Sequence, residues 1–481
     1  MTKKCCFLIL LLCATLLSLK AQYFPAFQGS NDAGSIASKQ NPASIVNNPK
    51  KWDLTILGIQ AEAQSNAIEV KNYSLLSNPK NSVWRFNEGE FKRQLNFNSS
   101  INLFNARIAI DRKKSVTLGA NIRSITDMSL TRFNYLKTFK DFDELVLNNL
   151  YNQNLRLDFT SSSWMEIYGG YAQTVLDNER MRLNIGGALK INNGLFAAEG
   201  QMSNLQFQPF PPIMVTGAPI YLLQNGNLNY NYSQNPLQYP ASSNPLKSFF
   251  TKTSRTLNLD AGMELLIKTQ AVTDYFDEDD YYDYRWKIGL SIMDMGYTRF
   301  QYNNKSSAFT LTDPQTNIDL KNAFKGGVTG PESFNKSLEN MGGTLTHPNG
   351  KFNILSPVRM NVNVDYFIKY EYYLNASLTY SLSHLLGPQS AQVAYNNFLT
   401  ITPRWENARY GWYMPWSMNR LGKFWVGGAV KAGPLVFGIN NLKYIFTKNS
   451  LFDGGFYLGF IYKSPHLTKA KRDPRLESPH W

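Results

Sequence analysis

The stretch MRLNIGGALKI, residues 181–191, decides the fold. Its odd-numbered positions, from Met181 to Ile191, are apolar or glycine, and its even-numbered positions are polar, small or basic. Because successive side chains of a β-strand point to opposite sides, this stretch predicts a strand with one apolar face and one polar, partly basic face. Residues 257–268, 358–369 and 372–382 alternate in the same way.

The length of these strands separates two kinds of all-β protein that share such alternation. The alternating runs are about ten to twelve residues long, whereas the strands of soluble proteins average about five or six. A tilted strand that crosses a bilayer needs about nine to eleven residues. The sequence therefore predicts an all-β fold, a transmembrane antiparallel β-barrel. Aromatic residues that recur near the strand ends are expected to form its interfacial girdles: Trp52, Trp164, Tyr284, Trp286, Tyr366, Tyr372, Trp405, Trp412, Trp416 and Tyr462.

The connections between strands predict how the barrel is oriented. Long segments such as 206–255 and 304–356 alternate with tight turns such as 112–113 and 177–180. Outer-membrane barrels have short periplasmic turns and long external loops, so both mature termini are expected in the periplasm. Residues 181–205 are either one long strand or a hairpin that breaks at 192–194. About 14 strands are predicted: 53–64, 99–111, 114–126, 164–176, 181–205, 256–268, 284–303, 357–369, 371–383, 397–405, 409–417, 423–432, 434–442 and 455–463.

Composition excludes several classes of protein. The chain is 14% aromatic and only 17% charged, which is unlike a disordered chain. After the first twenty residues no run approaches the ~18 apolar residues of a membrane helix, which excludes a polytopic helical protein. Lys and Arg number 49 against 35 Asp and Glu. In an exported chain this balance suits outer-membrane lipid headgroups or a basic lumen, and no nucleic acid partner is expected.

The N-terminus predicts export. Lys3 and Lys4 precede an apolar run, and residues 1–21 have the pattern of a signal peptide that is cleaved near Ala21. A lipoprotein signal at Cys13 is the alternative, although the residues before it are bulky. All three cysteines lie in this segment, so the mature chain would have neither a disulfide nor a thiolate ligand. We expect an outer-membrane protein of a Gram-negative cell.

The order and spacing of four stretches resemble a known family. They are Asn41-Pro42-Ala43, KIGLSIMDMGYTRF at 287–300, SPVRMNVNVDY at 356–366 and GGAVKAGPLVFGINNL at 427–442. In these the chain resembles the outer-membrane barrels of Bacteroidota called domain of unknown function 5723. Asn41-Pro42-Ala43 also resembles the hatch motif of FadL-like fourteen-stranded barrels, whose architecture is shared by barrels associated with type IX secretion. The resemblance implies an N-terminal hatch or plug at 22–52, a barrel at 53–463 with long extracellular loops, and a basic periplasmic tail at 464–481.

The polar strand faces predict which charged residues line the lumen. Paired charges that brace the wall are one interpretation, and an anion-favouring path or a bed for the plug is the other. The predicted acidic residues are Asp260, Glu264 and Asp365. The predicted basic residues are Arg107, Arg123, Arg182, Lys190, Arg285, Lys287, Arg359 and Lys431.

The sequence shows neither a catalytic constellation nor a cofactor motif. Its histidines are only His347, His384, His466 and His480, which lie far apart, and no nucleophile elbow is present. The acidic turn at 274–283 lacks the glycine of a calcium loop, so a solvated turn is the favoured interpretation. We therefore expect a protein that is not an enzyme and that binds neither a metal nor a cofactor.

Two functions remain open. The first is a hatch-gated barrel that binds or passes a hydrophobic or small ligand, or a detergent-like molecule, through its lumen. The second is an accessory subunit of an envelope machine, in type IX secretion or barrel assembly, that docks protein partners through its loops and tail. A continuous apolar pocket beneath residues 22–52 would favour the first. A lumen of paired charges with large apolar patches in loops 206–255 or 304–356 would favour the second.

Overall fold

The structure of the protein is a computed structural model. Several sequence predictions fall outside the described residues: the signal peptide at 1–21, residues 465–481 of the basic tail, the acidic turn at 274–283, and His384, His466 and His480. The structure describes residues 24–48, 50–74, 76–139, 142–149, 155–210, 220–234, 250–251, 253–268, 284–312, 324, 327, 329–369, 371–383, 391–407, 409–419, 422–448 and 453–464.

The described chain is built almost entirely from antiparallel strands. Its α-helices are α1 (Phe142–Leu147), α2 (Pro331–Glu339) and α3 (Lys443–Phe446). None of the helices in this part of the chain has the length and apolar character that crossing a membrane requires. The strands are β1 (Trp52–Ser65), β2 (Ile68–Lys71), β3 (Val83–Phe86), β4 (Gly89–Asp111), β5 (Lys114–Tyr135), β6 (Leu157–Asp177), β7 (Met181–Phe210), β8 (Ile220–Tyr232), β9 (Arg255–Ile267), β10 (Trp286–Met295), β11 (Tyr297–Gln301), β12 (Ser307–Thr312), β13 (Thr344–Thr346), β14 (Lys351–Leu355), β15 (Arg359–Lys369), β16 (Tyr372–Ser381), β17 (Phe398–Glu406), β18 (Tyr410–Tyr413), β19 (Trp416–Asn419), β20 (Phe424–Val426), β21 (Gly428–Ala432), β22 (Leu435–Ile439) and β23 (Asp453–Lys463).

These strands close into a ring. β1 pairs with β4 on one side and with β23 on the other, so the sheet has no free edge there. In a closed ring each strand of the wall has a hydrogen-bonding neighbour on both sides, as a hydrocarbon surrounding requires. The predicted fourteen-stranded transmembrane barrel is confirmed. Its order is β1, β4, β5, β6, β7, β9, β10, β15, β16, β17, β18 with β19, β20 with β21, β22 and β23.

The two faces of the wall differ in polarity as a membrane barrel requires. Outward positions carry large exposed apolar side chains, among them Leu118, Leu189 and Leu257, which are 54%, 61% and 69% exposed. The alternate positions are polar and buried inside the ring, as in Arg182, Asn184 and Lys190. Lipid therefore faces the apolar side, and the polar side faces the interior.

Several predicted strand boundaries were wrong. Residues 181–210 form one strand without a hairpin at 192–194. The predicted strand 284–303 ends at Gly296, where β11 leaves the ring and pairs only with β14. The predicted strands 409–417 and 423–432 are each divided in two. Segments expected to be loops contain further strands, because β8, β12 and β13 extend the sheet beyond β7.

Two aromatic residues expected in the interfacial girdles lie inside the ring. Trp164 and Tyr284 are each 1% exposed, and the Tyr284 hydroxyl donates to Asp365 over 2.6 Å. Trp164 and Glu166 are two residues apart on β6, so their side chains both point inward. The predicted strand began at Trp164, and for that reason this residue was expected at the membrane interface. Other aromatic residues are exposed near strand ends as expected: Trp52, Trp286, Tyr372, Trp412, Trp416 and Tyr462.

The first strand of the ring begins and the last strand ends at the same end of the barrel, which we call the terminal end. Trp52 at the start of β1 donates its backbone N–H to the Ser464 hydroxyl over 3.0 Å. We call the opposite end the distal end. The parts of β4 to β7 that lie farthest from the terminal end are found there, together with β8, β11 to β14, α1 and α2. The site described next lies between these two ends.

Candidate functional site

The N-terminal segment, residues 24–48, lies inside the ring. It forms three short 3-10 helices, Pro25–Phe27, Asn31–Lys39 and Pro42–Val46. Its apolar residues pack on inward residues of the wall, and Phe24 meets Tyr457 with ring centroids 5.2 Å apart. The segment therefore occupies the terminal half of the lumen, where the sequence predicted a plug within residues 22–52.

The Asn41-Pro42-Ala43 turn is seated on glycines of the wall. Asn41 accepts from the Ala43 N–H over 3.0 Å and donates to the Met263 carbonyl over 2.9 Å. A Cβ atom added to Gly186 would stand 2.7 Å from the backbone of Pro42 and Ala43, which is too close for any side chain. Gly262, which pairs with Gly186, would overlap Asn41 in the same way, and Gly289 is also close. We call Gly186, Gly262 and Gly289 the glycine niche.

Polar side chains of the wall hold the remainder of the segment. Glu264 accepts from the Ser44 hydroxyl over 2.6 Å and also from the Asn47 amide. At the terminal end the Ser30 hydroxyl donates to Glu406 over 2.6 Å. These bonds satisfy buried groups that would otherwise cost free energy, so they fix the segment in one position.

A buried carboxylate, Asp294, forms the centre of a charge cluster in mid-lumen. Arg123 contacts both of its oxygens, over 2.8 and 3.0 Å, and the Lys190 ammonium is 2.6 Å from Oδ1. Arg359 forms a third ion pair with it. Lys190 also lies 2.6 Å from Asp260, and Arg123 lies 3.1 Å from Glu166. The cluster links β5, β6, β7, β9, β10 and β15 across the interior.

A second cluster lies nearer the terminal end. Arg404 binds both oxygens of Asp365 and donates to Glu406 over 2.9 Å. Lys287 donates to the Gly29 carbonyl of the N-terminal segment over 2.6 Å. Asp53 and Arg107 form a further buried pair that also contacts this segment, because Asp53 accepts from the Ser35 N–H. Charges of the wall thus form ion pairs with each other and hydrogen bonds with the segment.

Most of the residues predicted to line the lumen are buried inside the ring. Arg285 is the exception, because it precedes β10 and is half-buried, with its guanidinium 4.6 Å above the ring of Tyr366. Arg182 lies close to the terminal rim, 3.3 Å from Asp177. The inward residues are Arg107, Arg123, Arg182, Lys190, Lys287, Arg359, Lys431, Asp260, Glu264 and Asp365.

Sequence reasoning missed Asp294, although it has the most ion pairs in this interior. Alternation along β10 would place it outward beside Ile292. It instead has φ +61°, and the pairing of β10 with β9 shifts between Ile292 and Met295. This irregularity turns the carboxylate inward. A carboxylate at an apparently lipid-facing position was the available signal, because such placement is costly.

An inward-bent ribbon occupies the lumen above the Asp294 cluster. β11 and β14, which we call the ribbon, pair with each other, and Phe300 and Phe352 point from one face toward Trp164 and Ile125. Gly194 on β7 permits this approach, since a Cβ atom there would stand 2.7 Å from Phe300. The ribbon and the N-terminal segment together fill the interior from both ends.

An apolar cavity of about 510 Å³ lies at the distal end. It is bounded by the upper parts of β5 to β8, by β12 and by helices α1 and α2. Two amides, Asn149 and Asn227, are the polar side chains in its lining. Its apolar lining residues are Leu130, Phe133, Leu145, Val146, Leu155, Leu157, Met202, Leu205, Phe207, Leu223, Leu228, Phe309, Phe324, Phe334, Leu338 and Met341.

Residues 42–440 match the family described as Family of unknown function (DUF5723). The chain belongs to this family. The match covers the Asn41-Pro42-Ala43 turn from Pro42 onward, the glycine niche and the ribbon. A comparison of this DUF5723 chain with curated proteins finds no match.

The solved structures that are similar to this DUF5723 chain have low sequence identity to it. A Pseudomonas aeruginosa FadL homologue is 8% identical with a TM-score of 0.41, covering 93% of this chain and 98% of its own. The Ralstonia pickettii toluene transporter TbuX is 9% identical with a TM-score of 0.40, covering 90% and 94%. Similarity at this level carries no argument about function.

Within the described ranges, His, Cys, Asp and Glu residues do not gather in threes with metal-ligating geometry. The carboxylate of Asp294 instead faces Arg and Lys side chains.

Proposed function

We propose that this DUF5723 protein is an outer-membrane barrel that captures a hydrophobic small molecule in the apolar cavity at its distal end. The observation that carries the proposal is the cavity itself, about 510 Å³ and lined almost entirely by carbon. Ligand pockets are typically about 300–1,000 Å³ and predominantly apolar, with a few polar groups. The distal end is the external one, and the molecule enters from outside the cell.

The lining suggests an apolar ligand with one polar end. The Asn149 amide is already engaged by the Asn134 and Leu145 carbonyls, over 2.9 and 2.8 Å. The Asn227 side chain lines the cavity and makes no hydrogen bond within the described part of the chain. A hydroxyl or carbonyl group of the ligand forms a hydrogen bond with this amide, and the apolar part of the ligand fills the apolar cavity.

Passage beyond the cavity requires movement of the N-terminal segment. Residues 24–48 and the ribbon fill the interior, and the space beneath the segment is polar, with about 40 Å³ left near Glu264 and Lys287. A small molecule therefore has no continuous path through the lumen while the segment stays in this position. The segment acts as a hatch, and the glycine niche is the seat from which it would be released.

Docking of a protein partner is the second candidate function. The lumen holds paired charges, which are one of the two features expected of an accessory subunit; the other is a large apolar patch in loops 206–255 or 304–356. Apolar side chains are also exposed at the distal end, including Leu76 and Trp84, which are 82% and 60% exposed. The cavity is concave, and this shape suits a small ligand better than the surface of a protein. Binding of a small apolar probe to the cavity tests this choice.

Filling the cavity is expected to abolish binding of an apolar probe. Leu338 is 3% exposed and lines the cavity from α2, so Leu338→Trp would occupy much of the free volume. We expect the affinity for N-phenyl-1-naphthylamine, measured by fluorescence titration of detergent-solubilised protein, to fall about tenfold or more.

The control makes the same substitution on the lipid-facing surface. Leu118→Trp adds the indole at a side chain that is 54% exposed, and affinity should stay at the wild-type value. Equal probe binding by wild type and Leu338→Trp would refute ligand capture at this cavity. Heat-modifiable gel migration checks that both variants are folded barrels.

A further inference from the structure

A basic pocket lies at the distal end, next to the point where β10 ends. β10 leaves the ring at Gly296, and the outer face of the ribbon then stands beside the beginning of β9. Arg299 and Gln301 of β11, Lys351 of β14 and Arg255 of β9 line a cavity of about 510 Å³ there. The lining is completed by three hydroxyl residues, Thr251, Thr253 and Ser254.

The cations of this pocket differ from those of the lumen in having no counterion. Arg255, Arg299 and Lys351 have no Asp or Glu oxygen within ion-pair distance anywhere in the residues that the structure describes. Interior cations such as Arg123 and Lys190 instead contact two carboxylates each. Three uncompensated positive charges around one cavity raise its potential and favour an anion.

The two guanidinium groups are already held in place. Arg255 donates through Nη2 to the Phe250 carbonyl over 3.0 Å. Arg299 donates through Nε to Asn353 over 3.0 Å and through Nη2 to the Tyr297 hydroxyl over 3.2 Å. Each therefore keeps N–H groups for a ligand. Because their hydrogen-bond partners are neutral oxygens, the two guanidinium groups keep their full positive charge. Because they are already held in place, less side-chain entropy is lost when a ligand binds.

We propose that this basic pocket binds a phosphate group. Guanidinium groups match phosphate oxygens in bidentate geometry, and Lys351 and the Ser254 hydroxyl supply further donors. The exposed Arg255 of this pocket lies two residues before the outward-facing Leu257 on β9, so a phosphate on a membrane lipid can reach the pocket while the acyl chains stay in the bilayer. A free phosphate from solution has the same chemistry.

Native mass spectrometry can test the pocket in protein purified in a nonionic detergent. The probes are dioleoyl phosphatidic acid, dioleoyl phosphatidylcholine as its zwitterionic counterpart, and inorganic phosphate. The test variant is Arg255→Gln/Arg299→Gln/Lys351→Gln. The control is Arg112→Gln/Lys113→Gln/Arg409→Gln, which removes three exposed charges at the terminal end. The two variants therefore have equal net charge.

We expect wild type and control to retain phosphatidic acid in preference to phosphatidylcholine, and the test variant to bind it about tenfold or more weakly. If excess inorganic phosphate does not displace the bound phosphatidic acid, the phosphate group that the pocket binds belongs to a lipid. Comparable binding of inorganic phosphate also supports the pocket and identifies a free anion. If test and control variants lose affinity equally, or neither loses any, the assignment is wrong. Heat-modifiable migration of all variants excludes misfolding as the cause.

Discussion

Asp294→Asn is expected to lower the free energy of unfolding of the barrel by about 3–5 kcal/mol, the usual cost of removing one partner from a buried ion pair. The reason is that Arg123, Lys190 and Arg359 would lose their common anion while they stay buried. Asparagine keeps the size of the side chain and tolerates the left-handed backbone at φ +61°, so the charge is the main change. Urea unfolding in lipid vesicles, followed by tryptophan fluorescence, measures the difference.

A matched control exists at the terminal rim. Asp177 also contacts two cations, Arg182 at 3.3 Å and Lys268 at 2.7 Å, but its side chain is 21% exposed. Solvent screens these pairs, so Asp177→Asn should cost no more than about 1 kcal/mol. Equal losses for the two variants would contradict the view that burial makes Asp294 the electrostatic centre of the wall.

Gly186→Val is expected to open the lumen to ions. A Cβ atom there would stand 2.7 Å from the backbone of Pro42 and Ala43, and backbone atoms cannot swing aside as a flexible side chain would. The Asn41-Pro42-Ala43 turn would therefore leave the glycine niche and release the N-terminal segment from its seat. We expect single-channel conductance in planar bilayers to rise severalfold, toward the value reached by deleting residues 23–50.

The neighbouring residue provides the control for this experiment. Gly187 is on the opposite face of β7, and a Cβ atom there would meet its nearest neighbour, the Asp260 carbonyl, at 3.4 Å, an ordinary contact. Gly187→Val should therefore leave conductance unchanged. If deletion of residues 23–50 raises conductance but Gly186→Val does not, the segment blocks the lumen without depending on the niche. If neither change raises conductance, the segment is no plug.

Alternation in the sequence was enough to predict the wall. The faces of β7 and β9 follow from period two, because the side-chain direction in a strand depends only on local backbone geometry. Alternation predicts Arg182, Lys190 and Glu264 on the polar strand face, and in the structure these three side chains are buried. The number of strands followed from the same local pattern, combined with the length that a bilayer requires. Arg285 could not be placed in this way, because it lies just outside β10, where alternation no longer applies.

The contacts of the interior were decided by tertiary structure. Asp294 faces inward only because the pairing of β10 shifts beside β9, and the glycine niche exists only because ring closure brings residues 41–43 against three strands. The apolar cavity likewise depends on β8, β12 and α2 meeting above the ring. A local pattern gives the face on which a side chain lies. Its contacts across the lumen depend on strand register and closure, which join residues hundreds of positions apart.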